Sequence, residues 1–273
     1  MPWHGNILAL LSDSPAERAR NTIGRWLDRF SAPSTLRGPV SAGDLQSGIS
    51  RLFGPACKVY LESEGLRSIE RHIERRRGHL DTRRPPFGAF HNGTTTLGRL
   101  CYAACRALRP RIVVETGVAY GVTSAYILQA LADNGAGELH SLDLPPLGPD
   151  AHEYVGYLVP ATLRTRWDLR IGPARALLPE VLGEGRLDLF LHDSLHTYGQ
   201  MRWEFALAMD AMSEGGVLIA DDIEGNRAFE EVLGGPRVGS WLALKEEGKD
   251  AVCGVVRTKP QGEHAVSNGS LRS

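Results

Sequence analysis

From residue 94 onward the apolar positions fall into two alternating kinds of run. Leu97, Leu100, Cys101, Ala104 and Leu108 recur at helical spacing and stop before Pro110, which predicts a helix. Residues 111–115 then read RIVVE, a short apolar block of the kind that forms a strand buried on both faces. The pattern continues with helix 122–132, strands 138–142 and 167–171, helix 174–182, strand 187–191, helix 198–212, strand 217–220 and helix 227–232. Such alternation predicts an α/β architecture, a Rossmann-like doubly wound and mostly parallel sheet with helices on both faces. Two further apolar runs, 241–244 and 251–256, are joined through a short polar link at 246–249 and predict an antiparallel pair at the sheet's edge.

The first ninety residues have a different pattern. Ser14, Pro15 and Glu17 form a helix start with a capping serine and an early proline. Ala19, Ile23, Trp26, Leu27 and Phe30 follow at helical spacing up to Pro33, and apolar Trp26 and Phe30 on such an arm favour a homodimer. A second helix is predicted over 65–77, with Leu66, Ile69 and Ile73 as its inner stripe and Arg71, Arg75, Arg76 and Arg77 as a solvated face. Residues 81–93 are rich in proline and glycine and mark a linker or lid; Arg83, Arg84, Phe90 and His91 read first as linker residues, and would touch a substrate only from a lid. The expected organisation is therefore a helical N-terminal extension or cap over 1–93, a core over 94–259 and a disordered tail over 260–273.

Composition changes this picture little. At 273 residues, 42% hydrophobic and 23% charged, the chain can bury a full core. Its net charge of -1 gives no overall field for nucleic acid or an anionic membrane, so neither is expected as a partner. Cys57, Cys101, Cys105 and Cys253 include no CxxC pair and read as reduced core residues. Residues 7–11 are too short for a signal peptide, and no run approaches the ~20 apolar residues of a membrane span, so a cytoplasmic protein is expected.

Chemistry enters where strands end in acids. In the strand, helix, strand unit at 186–226, Asp193 follows the first strand and Asp221 and Asp222 follow the second. Parallel strands finish on the same side, so the three carboxylates share the edge where ligands of open α/β sheets bind. His196, three residues beyond Asp193, is a candidate base there, with His192, Ser194 and Tyr198 nearby. At residues 113–124 the sequence VVETGVAYGVTS is a strand, tight turn and helix start. It is not the GxGxxG of a dinucleotide site, and Glu115 is a poor neighbour for a pyrophosphate but a suitable one for a sulfonium or ammonium. Asp143 ends the next strand, where a carboxylate can take ribose hydroxyls. The cofactor-binding candidates are Glu115, Gly117, Tyr120, Gly121, Thr123 and Asp143.

ExGxxxG at Glu115, Gly117 and Gly121, followed by Asp143 and the two acidic strand ends, resembles a class I S-adenosylmethionine-dependent methyltransferase. The later segment is similar to the metal-dependent O-methyltransferases related to macrocin O-methyltransferase and, more distantly, to catechol O-methyltransferase. The resemblance covers residues 94–258. It implies that Asp193, Asp221 and Asp222 hold Mg2+, that His196 is the general base, and that S-adenosyl-L-methionine donates a methyl group to a hydroxylated small molecule, a sugar or polyketide-type natural product. Two departures stand out: Asp193, Ser194, Leu195 and His196 replace the family's frequent DGDH, and Gly172, Pro173 and Ala174 lack the polar residue often found near the adenine. Other readings remain: a metal-independent N- or C-methyltransferase, a nicotinamide-dependent oxidoreductase, or a non-catalytic S-adenosylmethionine-binding module.

Overall fold

The computed structural model describes residues 15–28, 33–36, 40–41, 45–80, 87, 94–146, 151–183, 186–246 and 251–260. Ser14, Phe30, the lid candidates Arg83, Arg84, Phe90 and His91, and the tail 261–273 lie outside the described residues.

Eight strands form one sheet: β1 (Val40–Ser41), β2 (Ile112–Thr116), β3 (Glu138–Asp143), β4 (Trp167–Ile171), β5 (Leu187–His192), β6 (Met212–Ala220), β7 (Val238–Lys245) and β8 (Val252–Thr258), in the order β1-β7-β8-β6-β5-β2-β3-β4. All neighbouring pairs are parallel except those made by β8, which runs antiparallel to both β6 and β7. The expected antiparallel pair lies at this end of the sheet, with β8 inserted between β6 and β7 and β1 outside β7.

The strands are buried on both faces because alternate residues enter different cores. Leu189 and Leu191 of β5 join one apolar cluster, and Phe190 between them joins the other. The first core is covered by α4 (Thr95–Leu108) and α5 (Val122–Asn134); the second by α6 (Ala174–Gly183), α7 (Tyr198–Ala211) and α8 (Ala228–Leu233). Each fully buried leucine or phenylalanine contributes about 1.5–3 kcal/mol over an exposed one, which fixes the register of the central strands. α4 begins where Thr94 accepts a hydrogen bond from Leu97 N and ends at Arg109, whose left-handed φ of 51° turns the chain into Pro110.

The N-terminal part is not a purely helical layer. After α1 (Pro15–Asp28), strand β1 adds to the sheet beside β7; neither it nor the next helix, α2 (Leu45–Phe53), was expected, although Leu45, Ile49, Leu52 and Phe53 recur at helical spacing. Ile49 and Leu52 of α2 and Leu66, Ile69 and Ile73 of α3 (Glu64–Arg77) belong to the same core as Leu97 and Leu242. All four cysteines are buried and none is disulfide-bonded. Among the described residues no helix is long and apolar enough to cross a membrane.

Candidate active site

The loop after β2 needs glycine for two reasons. Gly117 has φ 84° and Gly121 φ 81°, in the left-handed region that L side chains rarely adopt. A Cβ on Gly117 would lie 1.9 Å from the Asp193 carbonyl oxygen, and one on Gly121 2.7 Å from Gly156 Cα. What comes close at these glycines is therefore the protein's own backbone: Gly117 lets the β2 loop pass against the end of β5. Two hydrogen bonds complete that junction, Asp193 N to Thr116 O (2.8 Å) and Gly117 N to Leu142 O (2.8 Å).

Two acidic residues set the loop's shape. Asp143 Oδ2 accepts from Val118 N (2.6 Å) and Ala119 N (2.8 Å), so amides that the sequence suggested for a ligand are turned to this carboxylate. Asp143 still lines the cavity. Glu115 does not line it; fully buried, it accepts hydrogen bonds from Thr123 Oγ1 (2.7 Å), Ser124 Oγ (2.6 Å) and Ser141 Oγ (2.7 Å). Burial pushes its pKa up to about 7, against the pull of those hydroxyls. Glu115 is placed to brace the turn and α5 from beneath. Tyr120 is also buried; its ring meets Phe87 edge-on at 4.9 Å, and Phe87 faces the cavity. Gly117, Val118, Ala119 and Thr123 line the cavity directly, whereas Tyr120 and Gly121 stand behind it.

At the ends of β5 and β6 the acids converge, but not as a single trio. One ligand atom from each of Asp193, His196 and Asp221 lies within 4.8 Å of the others, and the same holds for Asp221, Asp222 and Glu246. Among the described residues no such group contains Asp193, Asp221 and Asp222 together. Asp222 has a left-handed φ of 49°, and its Oδ2 lies 3.3 Å from His196 Nδ1. His196 Nε2 is 3.9 Å from Asp193 Oδ1 and carries no hydrogen bond. Glu246, which the sequence reading assigned to a connecting segment, is buried and accepts a hydrogen bond from Thr94 Oγ1. Its separation from Asp221 along the chain left no local signal. Adjacent carboxylates repel unless a cation lies among them, and hard oxygen donors suit magnesium, so this donor set fits a divalent ion.

Beneath these acids lies a second buried network. Glu204 of α7 accepts from His192 Nδ1 (2.6 Å), Thr116 Oγ1 (2.5 Å), Gln200 Nε2 (2.8 Å) and Ser194 Oγ (3.1 Å). Burial alone would raise its pKa, yet the His192 imidazole and the hydrogen bonds hold it below the usual value. Glu204 thus ties the ends of β2 and β5 to α7. Asn226 does the same for His196, donating from Nδ2 to the His196 carbonyl at 3.2 Å. Tyr198 points away from the cavity, its hydroxyl donating to Glu231 at 2.8 Å.

The remaining wall comes from α1. Arg18 donates to Pro145 O at 3.2 Å, and the Asp28 carboxylate accepts from Tyr198 N, at 2.9 Å through Oδ2, at the start of α7. The helix therefore spans the mouth from the β3 loop to the acidic end, enclosing a cavity of 1190 Å3. That exceeds the roughly 300–1,000 Å3 usual for one small ligand and leaves room for two. On its outer side Ile23, Trp26 and Leu27 are more than half exposed.

Comparison with known proteins bears on the fold. Residues 114–223 match a family model described as a methyltransferase domain. No curated protein matches the chain by sequence. Among solved structures, the O-methyltransferase from Bacillus cereus in complex with S-adenosylhomocysteine is 15% identical, with 89% of this chain and 100% of that chain covered at a TM-score of 0.53. The O-methyltransferase TomG from Streptomyces achromogenes, involved in tomaymycin synthesis and solved with S-adenosylmethionine, is 19% identical over 72% of this chain and 90% of its own at 0.52. The methyltransferase PaMTH1 of Podospora anserina is 14% identical over 95% and 98% at 0.51. The chain has the class I methyltransferase fold, residues 114–223 are similar to a methyltransferase domain, and the resemblance drawn from the sequence holds at that level.

Proposed function

We propose that the protein is an S-adenosylmethionine-dependent O-methyltransferase, assisted by magnesium, that methylates a hydroxyl of a small molecule of the sugar or polyketide kind. One observation carries this reading: Asp193, His196 and Asp221 meet in the same cavity that Gly117, Val118, Thr123 and Asp143 line. S-Adenosylmethionine, when bound, supplies a methyl group already activated by its sulfonium, and magnesium, when bound, makes a ligated hydroxyl more acidic.

The protein's own residues do the rest. Asp193 and Asp221 hold the cation, with Asp222 adjoining both that pair and His196. Asp222 at 3.3 Å keeps the imidazole proton on Nδ1, leaving the Nε2 lone pair to take the acceptor's hydroxyl proton. Glu204 and Asn226 fix the strand and loop that carry Asp193 and His196. Asp143 and the loop at 117–119 orient the cofactor, and holding the two reactants in line can contribute on the order of 7–11 kcal/mol.

Calorimetric titration of S-adenosylmethionine and then magnesium into the wild type and an Asp221→Ala, Asp222→Ala double variant tests this. We expect cofactor binding to both and magnesium uptake by the wild type alone. Absence of cofactor binding would end the methyltransferase reading; cofactor binding with equal magnesium uptake by both proteins would end the metal assignment.

A further inference from the structure

The face that α1 turns toward the cavity is strongly polar, and its charges are unevenly engaged. Glu17, Arg18, Asn21, Thr22, Arg25 and Asp28 line the cavity at spacings that place them along one side of the helix. Glu17 is paired with Arg20 at 2.8 Å, and Asp28 accepts from the backbone of Tyr198. Arg18 is tied to the β3 loop through Pro145 O. Arg25 makes no ion pair or hydrogen bond among the described residues, although it lines a cavity that also contains Asp143, Asp193, Asp221 and Asp222.

The position of Arg25 along the helix determines what it can meet. Arg18 marks the nucleotide end, since Pro145 follows Asp143 at the end of β3. Seven residues at a rise of ~1.5 Å put Arg25 about 10 Å further on. The neighbouring Gly24 lies against Thr197, whose Oγ1 would be 3.6 Å from an added Cβ. Arg25 therefore stands above the His196 and Thr197 segment, on the acceptor side of the cavity. A cation in a last helical turn also interacts well with the helix dipole, but that needs no orientation toward a cavity.

We infer that the acceptor carries an anionic group, a carboxylate or a phosphate, beside the hydroxyl to be methylated, and that Arg25 recognises it. The inference rests on the O-methyltransferase reading above and adds the charge class of the acceptor. A guanidinium offers paired N–H donors to either anion and remains charged at any working pH. The two tasks fall to different groups: the acids would bind the reacting hydroxyl through a cation, and Arg25 would bind the acceptor's anionic group.

The test uses the full-length protein saturated with S-adenosylhomocysteine and magnesium. Three vicinal diols differing in one substituent, 3,4-dihydroxybenzoate, 3,4-dihydroxyphenylphosphonate and the neutral 3,4-dihydroxybenzamide, are titrated by calorimetry. We expect at least one charged diol to bind roughly tenfold tighter than the amide, as suits one charge-assisted pair. Which one does so tells carboxylate from phosphate. In Arg25→Gln the preference should fall to within about twofold, and Arg25→Lys should retain part of it. Equal affinities in the wild type, or a preference that survives in Arg25→Gln, overturn the inference while leaving the methyltransferase reading intact. Diols that all fail to bind while S-adenosylhomocysteine binds overturn the acceptor class and this inference together. Failure of S-adenosylhomocysteine itself to bind overturns the parent reading and, with it, this inference.

Discussion

The two ends of the cavity are built on opposite principles. At the β2 and β3 end, proposed above to take the nucleotide, the polar groups are matched within the protein: Glu115 receives hydrogen bonds from Thr123, Ser124 and Ser141, and Asp143 receives them from the amides of Val118 and Ala119. At the acidic end the scaffold is matched in the same way, but the acids are gathered together. Glu204 and Asn226 secure the backbone, while the Asp193, Asp221 and Asp222 carboxylates crowd one imidazole. A site that stabilises the fold should lose stability when its acids are removed. A site that sacrifices stability for binding should not. The difference gives each acid an expected sign.

The largest effect should come from Glu204, which serves both ends through Thr116 and His192. Replacing it by leucine leaves the buried His192, Thr116 and Gln200 donors without their acceptor. Each buried donor left without its partner costs about 1–3 kcal/mol. Urea denaturation of Glu204→Leu should show a loss of that order, and a loss under about 1 kcal/mol would mean that the network can re-form around water.

Next in size, and opposite in kind, is the acidic end. Magnesium at about 100 times its dissociation constant should stabilise the wild type by ~2.7 kcal/mol through linkage alone. Asp221→Asn removes one carboxylate of the crowd, so its stability without metal should equal or exceed the wild type's, and the response to magnesium should vanish. Thermal melts with and without magnesium, each repeated in chelator, check both parts. A variant that melts well below the wild type in chelator would place Asp221 among the structural acids.

The same contrast explains what the sequence made legible. Element order from residue 94 was readable because parallel strands buried on both faces are unbroken apolar blocks, and because Pro110 and the glycines punctuate them. Asp193, His196, Asp221 and Asp222 were readable as a cluster because parallel strands bring their ends together whatever the side chains do. Their division into two groups was not, since the second group includes Glu246, more than twenty residues further along the chain. Glu115 was read as a ligand residue because its position in ExGxxxG fits one. Its hydroxyl partners are eight, nine and twenty-six residues away, and nothing local reveals that they meet it. β1 was missed because two residues carry no periodicity, and Glu204 because a glutamate on a helix usually faces water.

The smallest effect expected is a change of slope. Burial raises the pKa of Glu115 from 4.5 in the unfolded chain to about 7. Over that interval the native state binds more protons than the unfolded state, so the residue's contribution to stability falls as pH rises from 4.5 towards 7 and is level above it. Glu115→Gln keeps the shape and one carbonyl acceptor. Its amide must donate where the carboxylate accepted, which a serine or threonine hydroxyl can accommodate by rotating. Unfolding free energies measured in urea at several pH values between 5 and 8 should therefore decline less with pH in Glu115→Gln than in the wild type. Identical slopes would mean that Glu115 stays ionised in its pocket, its three hydroxyl donors outweighing burial. The nucleotide end would then hold a genuine buried negative charge, and the contrast between the two ends would rest on hydrogen bonding alone.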